Sequence, residues 1–425
     1  MNYKLHHLSS GLRVLTIPMP NLESATLTVW VKTGSRNEEK RVNGISHFLE
    51  HMVFKGSKKR PSAKQISEAV DSIGGEFNAA TSKDWTNFYI KARSGVVETA
   101  FDVLSDMVLN PLLNPREIER EKGVIVEEIA MYEDTPMIKI GDVFEQTAFA
   151  GNSLGWDIAG TAASVKGTAK SDFVSYRNEH YYADNIIVVT AGGVTGETAL
   201  ALAKKYFGDL RTKEIKDLRT EEFKVARKTS RVKLHPQKKE QAHFILGFLG
   251  DGRGYEGRFA QGVLAAILGG GMSSRLFTEV RERRGLAYAV KTSVERYKET
   301  GYLGTYAGVD PKKIEEAIKV IVDQCFGLAE KRYKIGDKEL KKAKEYLKGH
   351  LALALEDTKD VDSFFAEQAL FLREIITPEA VYKKLDEVNI KDVLFEANRL
   401  FKKENMRLAI IGPYENKDKF VKIIK

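Results

Sequence analysis

Apolar and polar residues alternate along the first part of the chain. Leu12, Val14 and Thr16, then Ala25, Leu27, Val29 and Val31, occupy every second position, with Pro18 and Pro20 between the two runs. A period of two is that of a strand with one face in a core, so two strands are expected. The period then changes. Ile45, Phe48, Leu49, Met52 and Val53 follow the i, i+3, i+4, i+7, i+8 spacing of one helical stripe. This predicts a helix over 44–55, with Asn43 as its cap and Gly56 as its stop. A second helix is expected over 63–73, ended by Gly74 and Gly75. Strands follow over 76–80 and 86–92, then a helix over 96–109 that closes at Asn110 and Pro111. Asn114 and Pro115 open another, with Glu117 at the capping-box position.

The same order returns in the second half. A strand is expected over 244–248, a helix over 258–268 broken by Gly269, Gly270 and Gly271, and a helix over 275–284. Strands over 287–294 and 301–309 follow, then a helix after Pro311 and another over 338–355. The repeat, at a period of about 200 residues, points to duplication of an α+β unit. Residues 1–210 are read as an N-terminal domain that holds the candidate chemistry. A charged, glycine-poor linker spans 211–230, and residues 231–425 form a C-terminal homologous domain.

Composition narrows the class. Of 425 residues, 43% are hydrophobic and 30% charged, which excludes a mainly disordered or collagen-like chain. No apolar run approaches the length of a membrane span, and the N-terminus carries no export signal, so a soluble cytoplasmic protein is expected. The net charge of +8 is spread along the chain without a basic stripe, so no nucleic-acid partner is expected. The single cysteine, Cys325, excludes an internal disulfide and any cysteine-based zinc site.

The chemistry centres on His47, Glu50 and His51. On a helix, positions i and i+4 differ by about 40° around the axis, so the two imidazoles share a face opposite the apolar stripe. Two imidazoles at that spacing suit zinc, and Glu50 beside them suits a general base. A third protein ligand is needed. The acidic helix around 116–132 offers Glu128, with Glu121 seven positions earlier on the same face, where it would support ligand orientation. Glu127 lies about 100° away from Glu128 and reads as a solvated charge, with the ligand role as its alternative.

His-x-x-Glu-His is the inverted zinc motif, and the sequence resembles the pitrilysin-like zinc metallopeptidases over nearly its whole length. The segment 44–57, GISHFLEHMVFKGS, is similar to the family signature. Glu128 follows His51 by 77 positions, as the distal glutamate does in several members. The segment 73–89, IGGEFNAATSKDWTNFY, resembles the family's edge strand, where substrate pairs as an added strand; this implies substrate contacts at Asn78 and Ala79. The segment 274–290, SRLFTEVRERRGLAYAV, resembles the second-half motif whose Arg and Tyr reach substrate, here Arg281 and Tyr288. The length matches half-size members close to the catalytic subunit of the mitochondrial processing peptidase.

The resemblance implies two duplicated α/β-sandwich domains of the LuxS/pitrilysin-like type, one Zn2+ per chain, and hydrolysis of peptides or unfolded segments held in an enclosed chamber. It also implies pairing with a second copy or a homologous subunit. The alternative is a non-catalytic peptide-binding or scaffold subunit of the same fold.

Overall fold

The computed structural model describes residues 1–212, 222–224 and 230–425. Most of the expected linker, 211–230, therefore lies outside the described residues. Eleven strands are described: β1 (Lys4–His7), β2 (Arg13–Pro18), β3 (Ser24–Val31), β4 (Glu76–Thr81), β5 (Thr86–Arg93), β6 (Ile186–Gly192), β7 (Val232–Pro236), β8 (Ala242–Asp251), β9 (Ala287–Arg296), β10 (Thr300–Val309) and β11 (Met406–Gly412). They form two sheets. The first has the order β1-β2-β6-β3-β5-β4 and the second β7-β11-β8-β10-β9.

The two sheets share one plan. In the first, β2 and β6 are parallel while β6, β3, β5 and β4 are successively antiparallel. In the second, β7 and β11 are parallel while β11, β8, β10 and β9 are successively antiparallel. Strand for strand, the second sheet repeats the first without β1. The duplication legible in the order of elements is thus a duplication of topology, and the fold is the expected α+β type.

The chain divides into two compact units. One comprises Met1–Met131, Trp156–Glu221 and Ala354–Thr377; the other Tyr132–Gly155, Glu222–Leu353 and Pro378–Lys425. Each unit thus takes a helical segment from the opposite half of the sequence. The physical reason lies in the central strands of the sheets, which are buried on both faces. In β3, Leu27, Val29 and Val31 face a core shared with the helices Ile45–Val53 and Val97–Leu109. Thr26 and Trp30 meet the helix Thr358–Phe371. The Thr26 and Thr358 hydroxyls are 2.8 Å apart, and Trp30 Nε1 donates to Asp362 Oδ1 at 3.0 Å. In the other unit, Phe244, Leu246 and Phe248 of β8 face the main core. The helix Pro136–Ala148 covers the opposite face with Ile140, Val143 and Phe144.

Several local expectations need correction. The helix Ile45–Val53 is not capped by the Asn43 side chain. Its cap residue is Gly44 at φ 98°, with no side-chain cap bond. A Cβ at Gly44 would stand 2.6 Å from the Ala159 carbonyl oxygen, so both the backbone and the space demand glycine. The first N–H groups of the helix go instead to the buried Glu38 carboxylate, which accepts from Gly44 N at 2.7 Å and Ser46 N at 2.8 Å. Asn43 Nδ2 also donates to Glu38, at 2.9 Å. In the helix Pro115–Glu133, Asn114 Oδ1 accepts the Arg116 N–H, whereas Glu117 is engaged by Arg120. The helix expected over 275–284 contains a π-helical turn at Phe277–Glu282. Among the described residues, no helix is long and apolar enough to cross a membrane.

A candidate metal centre

The apolar stripe of Ile45, Phe48, Leu49, Met52 and Val53 is buried, which fixes the rotation of the helix Ile45–Val53 about its axis. His47 and His51 are thereby turned toward the helix Pro115–Glu133. His47 Nε2 and His51 Nε2 are 3.2 Å apart. Glu128 Oε2 lies 3.6 Å from the first and 3.4 Å from the second. The three donors converge on one point. A tetrahedral ion with bonds of about 2.0–2.1 Å has ligand–ligand edges of about 3.3–3.4 Å. The donor set of two imidazoles and a carboxylate, at these spacings, therefore fits zinc. Among the described residues, His47, His51 and Glu128 form the one cluster of this kind. Glu127 is exposed on the same helix.

His51 is held from behind. Its Nδ1 lies 2.8 Å from Glu121 Oε1, and the other oxygen of Glu121 accepts from Lys55 Nζ at 2.7 Å. Without a cation, burial works against charge on His51. The hydrogen bonds to Glu121 and Glu128 outweigh it and push the imidazole pKa up to about 9. Burial likewise opposes ionisation of Glu121, yet His51 and Lys55 hold its carboxyl below the usual range.

Glu50 stands on the same helix with its carboxylate near both histidines. Burial raises its pKa; the Thr81 hydrogen bond and the two histidines oppose the rise, and Glu128 adds to it. Thr81 Oγ1 donates to Glu50 Oε2 at 2.6 Å. Thr81 ends β4, the edge strand of its sheet, which among the described residues pairs only with β5. Along β4, Phe77, Ala79 and Thr81 alternate with the exposed Glu76, Asn78 and Ala80. Asn78 Oδ1 accepts from Ala79 N at 2.9 Å, so this N–H bonds to its own strand's side chain.

Arg281 and Tyr288 belong to the other unit. The Arg281 guanidinium lies 4.7 Å from the Phe277 ring centre and 5.2 Å from that of Tyr288. Tyr288, on β9, is 76% exposed. The π-helical turn and the strand after it bring the two residues together.

Sequence reasoning did not single out Glu38, Lys55 or Thr81. Thr81 carried a signal, since it shares the period-two face of Phe77 and Ala79. Lys55 carried one too, four positions after His51. Glu38 lies outside any periodic element, and nothing in the pattern marks it.

Comparison with known proteins agrees with the fold. Residues 13–162 match Insulinase (Peptidase family M16), and residues 169–347 match the Peptidase M16 inactive domain. An uncharacterized zinc protease of Streptomyces coelicolor is 36% identical over 416 residues, covering 96% of this chain and 89% of that protein. An uncharacterized zinc protease of Bacillus subtilis is 36% identical over 413 residues, covering 97% and 99%. Among solved structures, a protease from Helicobacter pylori superposes with a TM-score of 0.89 at 24% identity, covering 97% of this chain and all of that one. A chain of complex III from Candida albicans gives 0.86 at 18% identity, covering 99% and 98%. A two-unit α+β fold with an inverted-motif donor cluster defines a class of metallopeptidase. The chain belongs to peptidase family M16, among half-size relatives named zinc proteases.

Proposed function

We propose that this protein is a zinc endopeptidase that cuts peptides or unfolded segments taken into an enclosed chamber. The observation that carries this reading is the meeting of three donors at tetrahedral spacing with a further carboxylate, Glu50, beside them. His47, His51 and Glu128 hold the metal. Bound there, zinc supplies Lewis acidity to the scissile carbonyl and to water. Glu50 takes the proton of the attacking water and passes it to the leaving amine. Thr81 fixes which way the Glu50 carboxylate faces.

The outer edge of β4 offers main-chain groups for an added strand, with Asn78 and Ala79 at its middle, so binding depends little on substrate sequence. Arg281 and Tyr288 serve the substrate: a guanidinium shelved on aromatic rings suits a peptide carbonyl, and an exposed phenol suits a developing oxyanion. The chain acts paired with a second copy of itself or with a homologous subunit.

Glu50→Gln tests the reading. Zinc content should stay at wild type while cleavage of a quenched peptide falls by about 10²–10⁴. Wild-type turnover in this variant would sink the assignment of the base.

A second reading is favoured by two observations. A chain of complex III shares the fold at a TM-score of 0.86, and the second half of this chain matches a model described as an inactive domain. On that reading the protein binds peptides without cutting them. Zinc-loaded wild-type protein that binds peptide and never cleaves it would favour this alternative.

A further inference from the structure

We propose that Lys55 is a positioning residue for the metal ligand His51, acting through Glu121. The proposal rests on the reading above that His51 is a ligand, and it adds a residue outside the His-x-x-Glu-His motif.

Lys55 stands just past the end of the helix Ile45–Val53, where its N–H still bonds to the Met52 carbonyl at 3.1 Å. It follows His51 by four positions, so the two side chains leave the same side of the helix. Both reach Glu121, which is 2% exposed. The carboxylate is divided between them: Oε1 on His51 Nδ1 at 2.8 Å, Oε2 on Lys55 Nζ at 2.7 Å.

A buried carboxylate held through one oxygen can still turn about its last torsion. Held through both, its plane is set, and Oε1 stays in line with the imidazole. That line decides which imidazole nitrogen carries the proton. With Nδ1–H pointing at Glu121, the Nε2 lone pair points at His47 and Glu128, as a ligand requires. Lys55 also answers a surplus of charge. Glu50, Glu121 and Glu128 surround a site for one divalent cation, which leaves one formal negative charge unmatched. Lys55 supplies the matching positive charge from the far side of Glu121.

Two effects of Lys55 on metal binding oppose each other. A positive charge near the site repels a cation, while a fixed Glu121 improves the ligand. The proposal is that orientation wins, so the sign of the mutational effect decides it.

The experiment measures zinc affinity by competition with a chromophoric chelator, using the full-length chain. Lys55→Met should bind zinc about 10–100-fold more weakly than wild type. Lys55→Arg, which keeps a cation within reach of Oε2, should recover most of the loss. Lys55→Gln, which keeps a donor without charge, should fall between them. In a Glu121→Gln background, Lys55→Met should cost less than about twofold more, because the route through Glu121 is already cut. Far-UV circular dichroism and thermal melting of each metal-free variant separate affinity loss from unfolding; if Lys55→Met melts early, Lys55→Gln carries the comparison.

Wild-type or tighter zinc binding by Lys55→Met would overturn the proposal. So would full, multiplicative losses in the double variant. Failure of the wild-type protein to bind zinc would instead remove the metal reading itself, and this inference with it.

Discussion

At the scale of single residues, the site turns on hydrogen bonds that set direction. Thr81 donates its hydroxyl proton to the Glu50 carboxylate at 2.6 Å, from the last position of the edge strand. A bond to a charged group contributes about 1.5–3 kcal/mol. Removing it frees the carboxylate to rotate without touching the metal donors. Thr81→Val, which keeps shape and loses the hydroxyl, should therefore lower kcat about tenfold or more with KM and zinc content little changed. Thr81→Ser should restore kcat. A Thr81→Val enzyme with raised KM and unaltered kcat would place the residue in substrate binding instead.

His51 gives a second prediction at this scale. Its pKa in the metal-free folded protein is pushed up to about 9, from 6.5. A raised value means that this group's contribution to stability is fully present below 6.5 and lost as pH rises through about 9. Zinc needs the neutral imidazole, so binding expels a proton throughout that window. Zinc affinity should rise about tenfold per pH unit between roughly pH 6.5 and 8.5. Calorimetry in buffers of different ionisation enthalpy should count about one proton released per zinc at pH 7.5. A pH-independent affinity would show that His51 is already neutral.

Among the elements, the helix Thr358–Phe371 is the most instructive. It lies on the face of β3 that carries Thr26, Thr28 and Trp30, and it brings Asp362 into a fully buried position. Asp362 Oδ1 accepts from Trp30, while Oδ2 has no hydrogen-bond partner among the described residues. Burial pushes its pKa up to about 7, against opposing hydrogen bonds from Trp30 and Thr28. For a carboxyl with a raised folded pKa the penalty is absent below 3.8, grows as pH rises toward 7 and is constant above it. Asp362→Asn removes the ionisation and keeps the acceptor. It should stabilise the protein at pH 7.5 by on the order of 1–3 kcal/mol and have little effect at pH 3.5. Urea melts at the two pH values check this; equal effects at both would mean that ionisation is not what the helix pays for.

For the whole molecule, the exchange of helices between halves governs folding. Residues 1–212 by themselves lack the helix that buries Thr26 and Trp30, and residues 230–425 lack the helix that covers the outer face of β8. Each half expressed alone should be insoluble or lack a cooperative melt. Co-expressed halves cut within 213–221 should assemble into a soluble, zinc-binding protein. A half that folds cooperatively alone would show that the borrowed helix is dispensable.

Much of this was legible in the sequence, because periodicity is local. The stripe around Phe48 and Leu49 is a property of nine residues. It alone orients His47 and His51 on the opposite face, so the two-histidine helix could be read directly. The alternation of Leu27, Val29 and Val31 likewise marks the inner face of β3. Resemblance pointed to Arg281 and Tyr288, though not to the π-helical turn that carries Arg281. What the pattern could not carry were partners distant in the chain. Thr26, Thr28 and Trp30 read as the outer, polar face of a strand, and are buried because a helix more than 300 residues away lies on them. Asn43 looked like a cap, yet the buried carboxylate of Glu38 takes that place. Lys55 became part of the site only when Glu121, 66 residues on, was brought between it and His51. Periodicity reports which face of an element avoids water; which residue meets it there depends on contacts that close only in the folded chain.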